Sequence, residues 1–335
     1  MDKLSFIKIA PAIALTMCSM VFTSCSDDDE NDGSSTPEGP TTTFSDKLLT
    51  QVGNYMFNYD DKNRCDAVYY VNDYDGSTYP EAEIDYKSSS IYFNTEETNM
   101  KVNFNNQGYI TKAYGSWEES EDGYVYKGSL SMSFDYDKSG HLTSITTKAE
   151  GVEKYDGEGY SYSSIGKAKI TWDNGNLINM TTEYNDIEDG EEYEFIDTYE
   201  ISYNEGIENK TRQMPFILSA SMFDYDASVL ANIGMFGVGT KNLPETIVNS
   251  YIEDGESYGE DIERVSYELN SDGTIKREYH DYETIEYTYT ALDDISSKAA
   301  SRYAANLSTS KDNKAGHRLY KMFKHLQKRN KTFLQ

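Results

Sequence analysis

Histidine, the side chain most often used for general acid–base catalysis, is rare in this sequence. The 335-residue chain has four histidines: His141 and His280 in its main part, and His317 and His325 near the C-terminus. A zinc site or a Ser-His-Asp triad in the main part would have to use one of the first two. His141 directly follows a turn-like glycine, where we expect a solvated side chain. We therefore predict no catalytic histidine and no metal ligand.

Carboxylates are abundant instead, with 58 Asp and Glu residues in the chain. A glycoside hydrolase needs only two, suitably spaced and with one shielded so that its pKa rises. No motif selects such a pair here. A calcium-loop alignment that puts Gly76 at the sixth position places Val71 first and Ala82 twelfth, where oxygen ligands belong. No dedicated cofactor is predicted, although opportunistic calcium binding to acidic loops stays open.

Aromatic residues offer a second kind of chemistry, the stacking of rings on sugars. The chain contains 30 Tyr and 2 Trp residues. Tyr at alternating strand positions more often forms the core face of a sheet than a binding platform. Trp117 adjoins an acidic segment, and this makes it the candidate ligand-binding residue.

The N-terminus has the pattern of an export signal. Lys3 and Lys8 precede an apolar run that ends in small residues before Cys25. This resembles the lipobox of bacterial lipoproteins, with Phe22 where Leu is usual, and implies cleavage after residue 24 and lipidation of Cys25. An ordinary signal peptide is the alternative. The next residues resemble the acidic surface-export tag of Bacteroidetes lipoproteins, with a solvated linker as the alternative: Ser26, Asp27, Asp28, Asp29 and Glu30.

Residues 46–292 show the period-two alternation of half-buried strands. One face of residues 193–203 is Tyr, Phe, Asp, Tyr, Ile and Tyr, in which Asp197 is the single polar residue. An aromatic residue, a turn former and a glycine recur between strands, beginning at Phe104, Tyr136, Trp172, Tyr203 and Tyr267. These turns alternate with acidic segments, read as long loops, at 117–123, 150–159, 186–191 and 253–260. We expect an all-β domain, a large antiparallel up-and-down meander curled into a barrel or half-barrel, with tight turns at one end and carboxylates at the other.

Three further segments complete the predicted organisation. Residues 25–45 form a lipidated, flexible tether, and residues 210–245 form a short helical or irregular insert or lid. In the insert, residues 234–241 have glycines spaced as in a phosphate loop, but Thr240 precedes Lys241, the reverse of the Walker order. Close backbone packing explains these glycines better. Residues 293–335 form a basic linker and an amphipathic C-terminal helix.

The signal cysteine followed by acids, the Tyr-Asp…Gly turns and the "MPF" and "GMFGVGTKNLP" segments resemble a Bacteroidetes family of uncharacterised exported lipoproteins with a porin-like β fold. The resemblance covers about residues 1–292. It implies a location and a fold, but no activity and no catalytic residues.

The net charge of the chain reduces the classes of function that are compatible with the sequence. The net charge is −28, and residues 296–335 are basic, so the rest of the chain is still more acidic and disfavours nucleic acid. The sequence predicts a non-catalytic lipoprotein, anchored to the outer membrane and exposed at the cell surface, that binds a glycan, a host molecule or an outer-membrane protein partner. The alternative is a secreted hydrolase that acts through loop carboxylates.

Overall fold

The structure is a computed structural model that describes residues 43–44, 46–72, 74–93, 98–121, 124–155, 158–188, 190–223, 225–281, 283–292 and 295. The predicted signal peptide, Cys25, the export tag at 26–30 and the basic tail from 296 onward lie outside these residues. Their assignments therefore stay predictions.

The described chain is almost entirely β-structure. Two short helices, α1 (Phe216–Met222) and α2 (Tyr225–Asn232), interrupt the strands between Glu208 and Asn242. The strands are β1 (Thr43–Phe44), β2 (Lys47–Val52), β3 (Tyr55–Tyr59), β4 (Cys65–Val71), β5 (Thr78–Asp85), β6 (Ser90–Phe93), β7 (Thr98–Phe104), β8 (Ile110–Glu121), β9 (Tyr124–Tyr136), β10 (Leu142–Tyr155), β11 (Glu158–Asp173), β12 (Asn176–Glu188), β13 (Glu191–Glu208), β14 (Asn242–Glu253), β15 (Glu256–Arg264), β16 (Ser266–Leu269), β17 (Ile275–Tyr279) and β18 (Thr284–Ala291).

These strands form a nearly closed up-and-down barrel. Neighbouring strands pair antiparallel in chain order, and β18 returns to β2 with Tyr287 opposite Val52. The strands β15 and β16 are separated by Val265 alone, and β15 pairs with β14 while β16 pairs with β17. Within the described residues, the other edge of β15 carries no ladder, which leaves a seam in the wall. The predicted all-β barrel with a short helical insert is confirmed.

Alternate connections emerge at opposite ends of the barrel, as the sequence predicted. We call the end with the connections β3–β4, β5–β6, β7–β8, β9–β10, β11–β12, β13–β14 and β16–β17 the turn end, and the opposite end the hairpin end. The acidic segments do lie at the hairpin end, but their assignment as long loops was wrong. They continue the strands as tall β-hairpins, because cross-strand partners keep the ladder intact along them, as in Glu118 opposite Lys127.

Three of the five repeated aromatic residues tie successive hairpins together at the turn end. The hydroxyl of Tyr136 donates to the Ile110 carbonyl at 2.6 Å, and the indole N–H of Trp172 donates to the Leu142 carbonyl at 2.7 Å. The hydroxyl of Tyr203 donates to the Leu177 carbonyl at 2.6 Å. Each bond therefore links one aromatic of the repeat to the aliphatic residue that follows the preceding turn.

One predicted turn is wrong. The segment beginning at Tyr203 does not reverse the chain but stays inside β13, where the register changes from Tyr203 opposite Pro244 to Glu208 opposite Asn242. The chain reverses only after Glu208, because the insert between β13 and β14 supplies the connection that a tight turn supplies elsewhere.

The insert packs against the inner face of the wall near the turn end, as a plug, and is not an exposed lid. Residues 213–219 and 228–233 are buried, and Phe236 contacts Phe134 of β9 with ring centroids 4.9 Å apart. The predicted close packing of the insert glycines is confirmed: a Cβ on Gly237 would lie 2.3 Å from the Gly140 carbonyl oxygen. The insert also bonds to the wall through the Val238 amide, which donates to the same oxygen at 2.9 Å.

The two faces of the wall differ in polarity. The face of β9 that carries Phe134 points to the plug and is therefore the inner face. No helix among the described residues is long and apolar enough to cross a membrane. Outward positions of the central strands are mainly charged or hydroxylated, for example Lys127, Ser129, Ser131, Ser133, Asp135, Ser144, Thr146, Lys148, Glu150, Ser163, Lys167, Lys169, Glu194, Glu200 and Ser202.

Candidate functional site

An acidic and aromatic surface lies on the inner face of β13 and β14, on the hairpin side of the plug. Alternate residues of β13 face inward, and this places Asp197 inside the barrel between Phe195 and Tyr199. On β14, Tyr251 lies opposite Asp197 and Asn249 lies opposite Tyr199. We call Phe195, Asp197, Tyr199, Asn249 and Tyr251 the inner wall.

Aromatic rings extend this wall towards the rim. The rings of Phe195 and Tyr251 are stacked with centroids 6.2 Å apart and planes 18° apart. The ring of Tyr258 follows at 5.7 Å from Tyr251, and Tyr258 is 47% exposed. A continuous aromatic strip therefore runs from the buried Phe195 to the solvent.

Small residues let further tyrosines lie flat on the neighbouring strands. The ring of Tyr184 covers Gly166, where an added Cβ would be 2.7 Å from the ring, and Tyr162 covers Gly151 in the same way at 2.3 Å from its hydroxyl. Both pairs are direct cross-strand neighbours. Each of these rings therefore lies over the glycine of the neighbouring strand on the inner face of the wall.

The Asp197 carboxyl has an unusual protonation equilibrium. Burial raises its pKa to about 6, and the nearby Asn249 side chain partly opposes this shift. Burial also raises the pKa of Tyr251, and the neighbouring Asp197 charge adds to that effect. A half-buried carboxylate, whose burial costs part of its solvation energy, is typical of functional sites. The sequence contains a signal for this residue, since Asp197 is the single polar residue of its face. That signal alone does not distinguish Asp197 from the many other carboxylates.

The spacing of the inner carboxylates bears on the hydrolase hypothesis. Glu263 of β15 also has its pKa raised by burial, but it lies two strands and four residues away from Asp197. With about 4.8 Å between strands and about 3.4 Å per residue, the two carboxyls are roughly 16 Å apart. Asp186 and Asp197 are roughly 14 Å apart by the same geometry. Retaining and inverting glycosidases need about 5.5 Å and at most about 9.5 Å respectively.

The second histidine of the main chain, His280, belongs to a buried latch that holds the plug. Its Nε2 lies 2.9 Å from Glu278 Oε1, and its Nδ1 lies 3.6 Å from Glu263. Burial by itself lowers the pKa of His280, but the bond to Glu278 and the nearby carboxylates outweigh it and raise the pKa. The same Glu278 accepts a bond from the Ile217 amide at 2.9 Å and one from the Tyr287 hydroxyl at 2.5 Å. Because the His280 and Glu278 side chains are 2% and 0% exposed, the cluster anchors helix α1 and offers no access to a substrate.

A polar cleft of about 410 Å³ opens in the wall where β17 and β18 separate near the turn end. Its cations are ion-paired. Lys47 bonds Asp272 at 2.6 Å, and Arg277 bonds Glu286 at 2.8 Å. Lys276 and Arg277 both contact Glu268, on the neighbouring strand. The cleft therefore has no excess charge to offer a ligand.

The other residues considered from the sequence lie elsewhere. Trp117 is on β8 opposite Gly128, but its side chain is outside the described part of the structure. Cys65 is a buried free thiol whose pKa is raised by burial, as expected for a small apolar side chain. The His141 ring stacks on the Trp172 ring with centroids 4.3 Å apart, so the predicted solvated position of His141 is wrong. Among the described residues, no group of three His, Cys, Asp or Glu side chains could hold a metal ion.

Comparison with known proteins gives neighbours in structure alone. No protein-family model matches this sequence, and no curated protein matches it. A crystal structure of a porin-like protein from Bacteroides vulgatus ATCC 8482 is 15% identical with a TM-score of 0.47, over 72% of this chain and 98% of that chain. A porin-like protein from Bacteroides uniformis ATCC 8492 is 16% identical with a TM-score of 0.42, over 70% of this chain and 90% of that chain. Because both TM-scores lie below 0.5, the fold description rests on the strand ladders given above, and the lipoprotein family stays a prediction.

Proposed function

We propose that this protein is a lipid-anchored, surface-exposed module of the outer membrane that binds a glycan on the inner wall without cleaving it. The observation that carries the proposal is the half-buried Asp197 beside the Phe195–Tyr251 stack. Aromatic faces bind the apolar faces of sugar rings, while carboxylates and amides bind their hydroxyl groups. The inner wall combines these groups on rigid strands.

The hydrolase alternative receives less support. Asp197 and Glu263, whose pKa values are both raised by burial, are separated by more than the distance across which two carboxyls can act on one glycosidic bond, so a hydrolase would have to pair Asp197 with Glu253, one strand and two residues away. The latch histidine is buried under the plug, so it cannot serve as a general base for a substrate on the inner wall.

The lipid anchor is supported by the sequence around Cys25 and by the polarity of the barrel exterior. A membrane-spanning barrel presents an outward apolar band about 25 Å tall, and a charge at its midplane costs about 2–4 kcal/mol. The central strands place Lys, Glu, Ser and Thr at their outward positions. We therefore propose attachment through Cys25, with the barrel outside the bilayer.

The test of the binding site is a glycan array followed by calorimetry on the mature chain. We expect Asp197→Asn and Tyr251→Ala to weaken binding of the captured glycan at least tenfold, which is a loss of about 1.4 kcal/mol in binding free energy. Glu200→Gln is the matched control, because Glu200 is exposed on the outer face of the same strand. Equal affinities in all four proteins would refute the site. Turnover of a chromogenic glycoside that Asp197→Asn abolishes would favour the hydrolase.

The test of the anchor is independent of the ligand. We expect Cys25→Ala to move the protein from the membrane fraction to the soluble periplasm. Alanines at 27–30 should protect the domain from protease added to intact cells. A Cys25→Ala protein that still sediments with membranes would refute lipidation.

A further inference from the structure

Positive and negative side chains are separated between the two faces of strands β8–β15. The strand register places every Lys and Arg of these strands on the outer face: Lys112, Lys127, Lys148, Lys154, Lys167, Lys169 and Arg264. The inner face of β12 to β15 carries carboxylates instead: Asp186, Glu191, Asp197, Glu253, Glu256, Asp261 and Glu263. The plug helices α1 and α2 contain no Lys or Arg that could neutralise these carboxylates. The inner wall therefore lies in an acidic interior.

The inner carboxylates are spread along the strands and do not converge on one point. Asp261 lies two strands and two residues away from Asp197, which is roughly 12 Å by strand geometry. The described part of the chain contains no group of three such side chains that could hold a metal ion. Charges spaced in this way match a chain molecule with several cations and do not match a single ion.

Aromatic rings lie among these carboxylates. Tyr251 is directly opposite Asp197, and the Tyr258 ring follows at 5.7 Å from the Tyr251 ring towards the solvent. An ammonium group is attracted both to the face of an aromatic ring and to a carboxylate. Burial raises the pKa of Asp197 to about 6, and no cation of the described chain opposes that shift. A cation supplied by a ligand would therefore find a ring and an uncompensated carboxyl together.

An amide group without a hydrogen bond marks the same surface. The Nδ2 atom of Asn249 is buried, and within the described residues it makes no hydrogen bond of normal length and angle. Buried donors are nearly always paired in native proteins, so this one requires an acceptor from water or a ligand. Asn249 belongs to the inner wall and lies near Asp197. A sugar hydroxyl is an acceptor of the required kind.

We infer that the ligand of the inner wall is a glycan with free amino groups, one of which binds as an ammonium group between Asp197 and Tyr251. The inference rests on the proposed function, because it names the class of glycan that the inner wall binds. Glycans that carry uronic acids or sulfates are repelled by the acidic interior, and neutral glycans gain nothing from it.

A basic peptide matches the charge of the interior but not its hydrogen bonding. The backbone N–H and C=O groups of a bound peptide need partners. The ladders of β12, β13 and β14 already pair the backbone of the inner wall with neighbouring strands. A glycan needs only the ring faces and the side-chain groups that the inner wall offers.

The experiment compares three probes by calorimetry on the full mature chain carrying Cys25→Ala. The probes are a β-1,4-linked hexamer of glucosamine, the same hexamer with every amine acetylated, and hexalysine, each at neutral pH. We expect the glucosamine hexamer to bind at least tenfold more tightly than either of the others at low salt. The preference over the acetylated hexamer should shrink at high salt, because the Debye length falls from about 10 Å at 0.1 M to about 3 Å at 1 M.

Two double variants with equal changes in net charge locate the binding. Asp197→Asn/Asp261→Asn should weaken binding of the glucosamine hexamer at least tenfold and that of the acetylated hexamer less. Glu194→Gln/Glu200→Gln, at exposed positions on the outer face of β13, is the matched control and should change either affinity less than about twofold. The circular dichroism spectrum verifies the fold of each variant.

The outcomes separate this inference from the proposed function. Equal affinity for the two hexamers, tighter binding of hexalysine, or equal losses in the two double variants would overturn the inference. If the acetylated hexamer binds as tightly as the glucosamine hexamer and Tyr251→Ala weakens both, the inference fails and the glycan site stands. If Tyr251→Ala weakens neither hexamer, the glycan site fails as well.

Discussion

The attachment of the plug to the barrel wall can be tested at Gly237, where the two backbones touch. Gly237 has a φ of +96°, and an added Cβ would lie 2.3 Å from the Gly140 carbonyl oxygen and 3.0 Å from the Tyr136 ring. The same carbonyl accepts the Val238 amide at 2.9 Å, so it cannot move away without loss of that bond. Alanine at this position therefore meets both an unfavourable φ and a backbone clash.

The loss of unfolding free energy can be worked out by comparison with Gly175, which separates the cost of a positive φ from the cost of the backbone clash. Gly175 also lies at the turn end with a φ of +80°, but its added Cβ would make only ordinary contacts, the nearest with the Lys241 Cβ at 3.4 Å. A positive φ costs an alanine about 1–2 kcal/mol, and overpacking in a close-packed interior adds about 1–3 kcal/mol. We expect Gly175→Ala to lose about 1–2 kcal/mol of unfolding free energy and Gly237→Ala to lose about 2–5 kcal/mol.

The assay is urea unfolding of the mature, non-lipidated chain, followed by hydrogen exchange of the amides in residues 209–241. We expect faster exchange of the insert in Gly237→Ala but not in Gly175→Ala, because only the first change pushes the plug from the wall. Equal losses of stability in the two variants, with equal exchange, would refute the close contact between plug and wall.

Three other outcomes follow from the same structure. Tyr136→Phe should destabilise the barrel by about 1–2 kcal/mol in urea unfolding, because the Ile110 carbonyl loses its buried donor, and no loss would contradict this role. Asp197→Asn should stabilise the domain above pH 6, by at most about 3 kcal/mol, since a carboxyl whose pKa rises from 3.8 to about 6 contributes stability that is lost as the pH rises through 6. That gain should vanish at pH 3 in the same assay, and a gain of equal size there would contradict the shift. A chain of residues 26–335 should stay monodisperse without detergent in size-exclusion chromatography, because its outward positions are polar, and aggregation that detergent reverses would contradict this.

The sequence by itself determined the properties that depend on neighbouring residues. Period-two alternation set the strands and their inner faces, since successive side chains of a strand point to opposite sides. The turn formers and glycines set most of the reversals, as in Asn174-Gly175, where both residues have positive φ. Alternation of turns with acidic segments fixed the two ends of the barrel, because an antiparallel meander sends every second connection to the same end.

Only the tertiary structure decided the properties that depend on residues distant in the chain. The return of β18 to β2 joins segments more than 200 residues apart, and no local pattern encodes that pairing. The acidic segments became strands because cross-strand partners continued their ladders. Asp197 differs from the exposed carboxylates because folding buries it beside Tyr251, and desolvation, not its identity, raises its pKa.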